Sequence, residues 1–366
     1  GSGSDDDGTI SEYKWISSID GDLSTSASFS ITDLSFGNHT ITFRVKDNEG
    51  DWSDDVTSWV DVRKSPEWSY AGNDYMSAVA VSADGEYIVA GGNYYVYLFY
   101  KDSDTPIWSY GIGGNARSVA ISADGEYMVV GSDDDKVYFF DKDSSTPLWS
   151  YTAGGHVLSV AISADGKYIT AGSEDDYKIC LFHKDSSTPL WSYTADGVVG
   201  SVSISADGEY ITAGTYYQDK RFFLFSKDSS TPLWSYTAGG AVLSISISAD
   251  GEYIAVGTGS DNIVYLFNKD SSTPLWSYEI EESMNYIEEV SISADGDYIV
   301  AVSRDDKVYL FDKDSNTPLW SYDTGENALS VAISANGEYV AAGSENDKIY
   351  LFNKDSSTPL WSYTAG

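Results

Sequence analysis

Three groups of side chains have types and spacings that could do chemistry. The first is oxygen-rich: Asp5, Asp6 and Asp7, and the turn Asp47-Asn48 farther on. Brought to one end of a domain, Asp5, Asp7 and Asp47 would offer hard ligands, and calcium is the cation they suit. Their spacing is not that of an EF-hand loop, and Asp-rich turns also occur without metal. The second is Asn38-His39-Thr40, an acceptor sequon that makes Asn38 a glycosylation candidate. The third is a set of unlike aromatic and basic residues between repeated phrases: Tyr75, Tyr94, Tyr95, Arg117, His156, Tyr177, Tyr216, Tyr217, Arg221, Tyr286 and Arg304. Rigidly held aromatics and arginines are what a recognition surface uses. Duplicated loops that drift freely would vary as much.

No catalytic set stands out. Cys180 is the single cysteine, so an intrachain disulfide is excluded, and it lies in the apolar run Lys178–Phe182. That context reads as a buried, inert thiol. Neither His156 nor His183 forms a recognisable arrangement with it, and no paired acids or nucleophile beside a base appear.

The elements that must position these residues are repeats. From about Ser65 onward the chain consists of seven near-copies, the last being Ser330 to Tyr363. S-A-D/N-G-x-Y recurs with Asp84, Asp124, Asp165, Asp207, Asp250, Asp295 and Asn336. P-x-W-S-Y recurs with Trp68, Trp108, Trp149, Trp191, Trp234, Trp276, Trp320 and Trp361. The period is roughly 40 to 45 residues, the length of a four-stranded propeller blade. In the third copy, the runs Ser159–Ser163, Tyr168–Gly172, Lys178–Phe182 and Leu190–Thr194 are short and rich in Val, Ile, Tyr and Phe. Turn residues bound them, as for antiparallel strands. No helical periodicity appears. The expected fold is all-β: a seven-bladed β-propeller over residues 64–366, preceded by a small β-sandwich over 1–63.

The order A-D-G-E-Y-I, A-G-S and V-Y-L-F-D resembles WD-repeat propellers. The step from Lys136 to Tyr151, K-V-Y-F-F-D-K-D to P-L-W-S-Y, is similar to the repeat of pyrroloquinoline-quinone-type propellers. The resemblance covers about four-fifths of the chain and implies a propeller in which a blade tryptophan docks on its neighbour. The Trp-Asp and Gly-His pairs of WD repeats are absent. The vicinal cysteine pair that often accompanies the calcium-held quinone in such enzymes is also absent. The N-terminal phrases Asp6 to Trp15 and His39 to Gly50 resemble Ig-like and PKD-type modules of microbial surface proteins, without the W-D-F-G-D-G signature. Strand-like runs are Glu12–Ile16, Ala27–Ile31, Thr40–Val45 and Val56–Val62. A full sandwich needs about seven strands, so its first strand is read as missing.

Charge narrows the partners. With 57 acidic against 21 basic residues the net charge is −36, a field that repels nucleic acid and anionic lipid. The acids recur in repeated loops and read as a solvated rim. No apolar run is long enough to span a membrane. In a four-stranded blade the S-A-D-G and K-D-S-S-T-P loops lie on one face, and the variable loops lie on the other.

The function expected is therefore a non-enzymatic extracellular or cell-surface protein, serving adhesion, surface architecture or assembly. Its partners are other protein chains, copies of itself, or surface glycans; neither nucleic acid nor membrane insertion is expected. No cofactor is expected beyond the candidate calcium. Two rival readings stand beside it: a quinone-dependent dehydrogenase or other propeller enzyme, and a WD-type interaction scaffold. The ends read as cut from a longer chain. Eight P-x-W-S-Y phrases against seven sets of the other strands leave one surplus. Pro66–Ala71 is placed to complete the final blade, which would leave Leu360–Thr364 over, although Leu360–Thr364 could equally take that place and displace the N-terminal copy. A free strand of that kind could pair with the open edge of another copy's sandwich and build filaments.

Overall fold

The computed structural model describes residues 9–31, 34–35, 37–62, 66–71, 75–280 and 286–364. All regular structure among them is β, and no helix is long and apolar enough to cross a membrane. The chain divides into two compact units, Gly1–Pro66 with Trp361–Tyr363 and Glu67–Leu360 with Thr364–Gly366.

The first unit contains β1 (Ile10–Ser17), β2 (Gly21–Ser24), β3 (Gly37–Asp47) and β4 (Val56–Val62) in one antiparallel sheet of order β2-β1-β3-β4. The Asp20-Gly21 turn, with Gly21 at φ +73°, reverses the chain at once. The strand after β1 is therefore 21–24 and not Ala27–Ile31: Ser24 pairs with Trp15 and Asp22 with Ile16. Phe29 contributes only a ring, set edge-on to Trp15 at 5.4 Å. Trp15 and Phe43 are cross-strand partners with rings 4.3 Å apart, over buried Val45. His39 is buried between Ser17 Oγ and the Ser35 carbonyl, each 2.6 Å from a ring nitrogen. Among the described residues this unit is a single sheet. A second sheet, which a sandwich requires, is not among them.

The second unit is a run of four-stranded antiparallel meanders. In blade one, β5 (Met76–Val81) pairs with the first half of β6 (Tyr87–Tyr100), and the second half of β6 pairs with the start of β7 (Trp108–Ile121). The rest of β7 opens blade two, followed by β8 (Tyr127–Ser132), β9 (Lys136–Asp141) and β10 (Trp149–Thr152). Blade three is β11 (Val157–Ile162), β12 (Tyr168–Ser173), β13 (Lys178–His183) and β14 (Trp191–Thr194). Blades four to seven repeat this order over 198–237, 242–279, 287–323 and 328–364. Seven blades result.

Local chemistry explains the repeats. In the S-A-D-G turn, Ser82 Oγ donates to Asp84 Oδ1 at 2.6 Å and accepts the Tyr87 N–H at 3.0 Å. Asp84 Oδ1 also accepts the Glu86 N–H at 3.0 Å, and Gly85 takes φ +74°. The same pattern recurs at Ser122, Ser163, Ser205, Ser248, Ser293 and Ser334. Blade seven shows that an amide suffices, since Asn336 replaces the acid.

Two series of bonds join each blade to the next, and a third, from serine, joins blades two to five to their successors. The fourth-strand tryptophan donates its indole N–H to a lysine carbonyl of the following blade, as in Trp149 to Lys184 at 2.7 Å and Trp191 to Lys227 at 2.8 Å. The turn alanine donates to its counterpart, from Ala83 to Ala123 and onward to Ala294 and Ala335. A first-strand serine accepts the N–H of a valine or isoleucine one blade on, as Ser118 does from Val160 at 3.1 Å and Ser159 from Val202 at 3.0 Å. Apolar packing fills the rest. A Cβ on Gly131 would come within 2.8 Å of Val157, so only glycine allows that approach.

Seven blades make six such interfaces, and the seventh is open. Val79 is 68% exposed, whereas among its equivalents Val119 is partly buried and Val160, Val202, Ile245, Val290 and Val331 are buried. Facing outward from blade seven, Ile349 is 46% exposed where Val137, Ile179, Phe222, Val264 and Val308 are fully buried. A Cβ on Gly343 would meet nothing within 4 Å.

Of the two placements open for the surplus strand, the structure takes the second. Trp361–Thr364 is the fourth strand of blade seven's sheet. Trp68 is the one without a sheet: it donates to the Lys101 carbonyl at 2.5 Å and packs on Phe99, as a preceding blade's tryptophan would.

Candidate functional site

The variable-loop face is built where the second strand turns into the third. The residue just before the third strand lies in the left-handed region in every blade: Tyr94, Asp135, Tyr177, Lys220, Asn262, Asp306 and Asp347. Asp and Asn tolerate that backbone best among residues with a side chain. Blades one and three place tyrosine there instead, and the longer loop of blade four adds Tyr217 at φ +66°.

The expected residues are only partly loop residues. Arg117 lies within β7 and Tyr95 within β6, because these strands run on without a break from one blade position to the next. Tyr216 closes the second strand of blade four and Arg221 opens its third. Each basic group in the set has an acidic partner. Arg117 Nε donates to Asp133 Oδ1 at 2.6 Å, and Arg221 binds Asp219 and, at 2.6 Å, Asp196. Arg304 pairs with Glu288 and stacks over Tyr286 at 5.4 Å, and His156 lies 3.2 Å from Asp135.

Charges from two other blades act on one tyrosine. Tyr216 of blade four lies in the fields of Glu174 from blade three and Arg117 from blade two. Burial first, and Glu174 next, hold the Tyr216 hydroxyl above its ordinary range, while Arg117 pulls it down. The ring crosses Gly200, where a Cβ would clash, and stands 4.7 Å from the Tyr217 ring. Tyr217, Tyr75, Tyr94 and Tyr95 are exposed. Tyr177 stands apart in blade three, its carbonyl accepting the Ala195 N–H.

Two features escaped sequence reading. The acids of these loops are not all a solvated rim: Asp219 and Asp305 are buried, beside Arg221 and Lys307. Asp134 accepts the Gly113 N–H at 3.0 Å and the Tyr138 hydroxyl, and Asp176 accepts the Gly154 N–H at 3.1 Å. These carboxylates tie the hairpin to the connection leaving the blade. The signal was the fixed offset of an acid two positions before Lys136, Lys178, Arg221 or Lys307. The second is Glu289, which stands where blades two to five and blade seven have a serine and blade one has Ala78, and it accepts the Val331 N–H at 2.8 Å. Burial pushes its carboxyl above the ordinary glutamate range. Glu289, Ser330 and Arg117 line a cavity of about 680 Å³ together with Trp68, Met76 and Val79.

The remaining candidates are placed as follows. Asp47 Oδ1 accepts the N–H groups of Glu49, Gly50 and Asp51 at 2.8, 2.7 and 2.9 Å, so it closes its own turn. Asp5 and Asp7 lie outside the described residues. Among those described, no three His, Cys, Asp or Glu side chains are grouped to hold a metal. Asn38 is exposed on β3. Cys180 is buried, which pushes its thiol up to about 11.

Comparison with known families agrees with the repeat geometry. Residues 230–268 match the WD domain, G-beta repeat. Residues 92–220 and 260–366, together more than half of the chain, match the family described as outer membrane protein assembly factor BamB. No curated protein matches the chain. With its blades, docking tryptophans and the greater part of its length in agreement, the chain belongs to the BamB family of propeller-repeat proteins.

Proposed function

We propose that this is a non-enzymatic propeller scaffold acting outside the cell, which seats another protein chain on its variable-loop face. One observation carries the reading. Tyr94 and Tyr177 occupy left-handed positions that Asp or Asn fill in four of the other blades. Holding a bulky residue there costs on the order of 1 kcal/mol or more, and such strain collects at binding sites. The exposed rings of Tyr94, Tyr95 and Tyr217, with the acid-paired Arg117 and Arg221, supply rigid aromatic anchors beside charge.

The family description supports assembly work, since the printed name is that of an assembly factor. The N-terminal unit fits a PKD-like or Ig-like module, supported by its sheet with Trp15 and Phe43 on one face. An extracellular setting suits the acidic surface and the exposed Asn38.

A photocrosslinking amino acid at Tyr75, Tyr94 or Tyr217 tests the assignment on the surface of the native cell. Adducts to a protein from these positions, and none from Glu86 or Glu209 on the S-A-D-G face, are expected. Adducts from the S-A-D-G positions alone would overturn it.

A further inference from the structure

The turn into each fourth strand carries a phrase, K-D-S-x-T-P, that the fold uses only in part. In blade two the Lys142 N–H reaches the Glu126 carbonyl, which seats the turn beside the S-A-D-G hairpin, at the other end of β8 and β9 from the variable loop. Ser144 Oγ accepts the Thr146 N–H at 3.0 Å, and the Leu148 N–H donates to the Phe139 carbonyl at 2.8 Å. The Thr146-Pro147 step is thus clamped on both sides, and the proline narrows what freedom is left. The same serine-to-threonine bond, 3.0 to 3.1 Å long, recurs in all seven blades.

What the turn leaves unused is the threonine hydroxyl. Thr146, Thr188, Thr231, Thr273, Thr317 and Thr358 are exposed, and their Oγ1 atoms have no partner among the described residues. Thr105 differs, donating to Asp104 at 3.3 Å. Other hydroxyls kept through the repeats are bonded in the fold: Ser122 closes its hairpin, Ser144 holds this turn, and Ser118 accepts an N–H from the next blade. The position before the threonine drifts, from Asp104 to Ser145 to Asn316, while the threonine and its proline do not. A β-branched residue suits the chain before proline, but valine supplies that branch without a hydroxyl. Exposure then alternates along the strand: Thr146, Leu148, Ser150 and Thr152 face outward, and Pro147, Trp149 and Tyr151 are partly buried. The leucine two residues after the threonine is 51–54% exposed in six blades, as Ile107 is at 48% in blade one. Each hydroxyl therefore shares its side of the chain with an apolar side chain left half in water.

We propose that these threonines, Thr105 through Thr358, are O-glycosylated with short neutral sugars whose C–H faces lie over the adjoining leucines. The assignment rests on the reading that the protein works outside the cell, where Ser/Thr-rich segments with proline carry O-linked sugars. The donor is a nucleotide- or lipid-linked sugar phosphate. Threonine Oγ1 attacks its anomeric carbon, the new C–O bond forms as the bond to phosphate breaks, and the hydroxyl proton passes to the transferase's base. Charge speaks against phosphate on the same hydroxyls. Each phosphate would add roughly two negative charges near exposed Asp143 or its counterpart, on a chain already at −36. Neutral sugars add none, and they would cover the S-A-D-G side of the blades while leaving the variable loops bare.

The test is mass spectrometry of the chain isolated from the cells that make it, with electron-transfer fragmentation, which leaves sugars on their residues. Whole-sugar mass increments are expected on the threonine of the S-x-T-P peptides in most blades, with the clamping serine bare. Thr188→Val and Thr231→Val remove hydroxyls that the fold does not bond, so the chain stays folded and the increments vanish from those two peptides alone. A membrane-impermeant amine label on intact cells reads the location separately. Bare threonines on a labelled chain overturn the proposal and spare the location. Sugars on an unlabelled chain support the proposal and overturn the location, and bare threonines on an unlabelled chain overturn both. Phosphate at these threonines, or sugars confined to the serines, also overturns the proposal.

Discussion

Replacing valine by alanine at one repeat position in two blades measures whether the propeller is open in solution. Val202 and Val79 occupy the same place in the first strand, 6% and 68% exposed. Val202→Ala removes two buried methylene equivalents, about 1.6 kcal/mol, and leaves a small cavity against Gly172, for a total near 2 kcal/mol. Val79→Ala removes methyl groups that already face water. The preference of strands for valine over alanine acts on both and cancels in the difference. A gap of about 1.5 kcal/mol is therefore expected, with Val202→Ala lowering the melting temperature by roughly 4 °C relative to Val79→Ala. Urea unfolding followed by tryptophan fluorescence gives the free energies, and calorimetry the temperatures. Equal losses at both sites would refute the reasoning, because they would mean that Val79 is as buried as Val202.

Two further outcomes follow from charge. Burial raises the folded pKa of Glu289 above its unfolded value, so its proton is bound more tightly in the folded state. Stability is then lost as pH rises from the ordinary glutamate range through the raised folded value. Glu289→Gln, whose amide oxygen can still accept the Val331 N–H, should be more stable than the parent at neutral pH and equal to it in acid; a constant difference across pH would refute this. The net charge of −36 should make the melting temperature climb between low and molar sodium chloride as self-repulsion is screened. A flat profile would show that the acids are already neutralised within the fold.

The propeller was legible because its signals are local and repeated. Ser82-Ala83-Asp84-Gly85 closes a hairpin with its own side chains, and Trp149 needs only a carbonyl one repeat away. Periodicity alone therefore carried the strand order. It could not say whether the ring closes, because an open and a closed face use the same residues: Val79 looks no different in sequence from Val202. In the N-terminal unit the strand placed at Ala27–Ile31 lost to the turn at Gly21, which pairs residues 21–24 with β1 before the more apolar stretch is reached. The loop face was half legible. Unlike residues such as Tyr94 and Arg117 mark variation, but the influence of Glu174 and Arg117 on the Tyr216 hydroxyl joins three repeats and cannot be read from any one of them. The buried roles of Asp219 and Asp305 were hidden inside an acidic composition that made every acid look solvated.

The tryptophan-to-lysine bond has a consequence for how the chain reaches this structure. Every fourth strand carries the same donor and ring, and every blade offers the same carbonyl and phenylalanine or its aromatic equivalent. A blade that forms early therefore recognises any other blade as readily as its true neighbour. Contact chemistry cannot tell them apart, and only the short connection between consecutive blades raises the effective concentration of the right one. Faithful folding then depends on order in time: successive docking along the emerging chain excludes the wrong pairs, whereas refolding from denaturant releases all seven blades at once. Out-of-order blades, each locally native, are the misfolded state this molecule is built to meet.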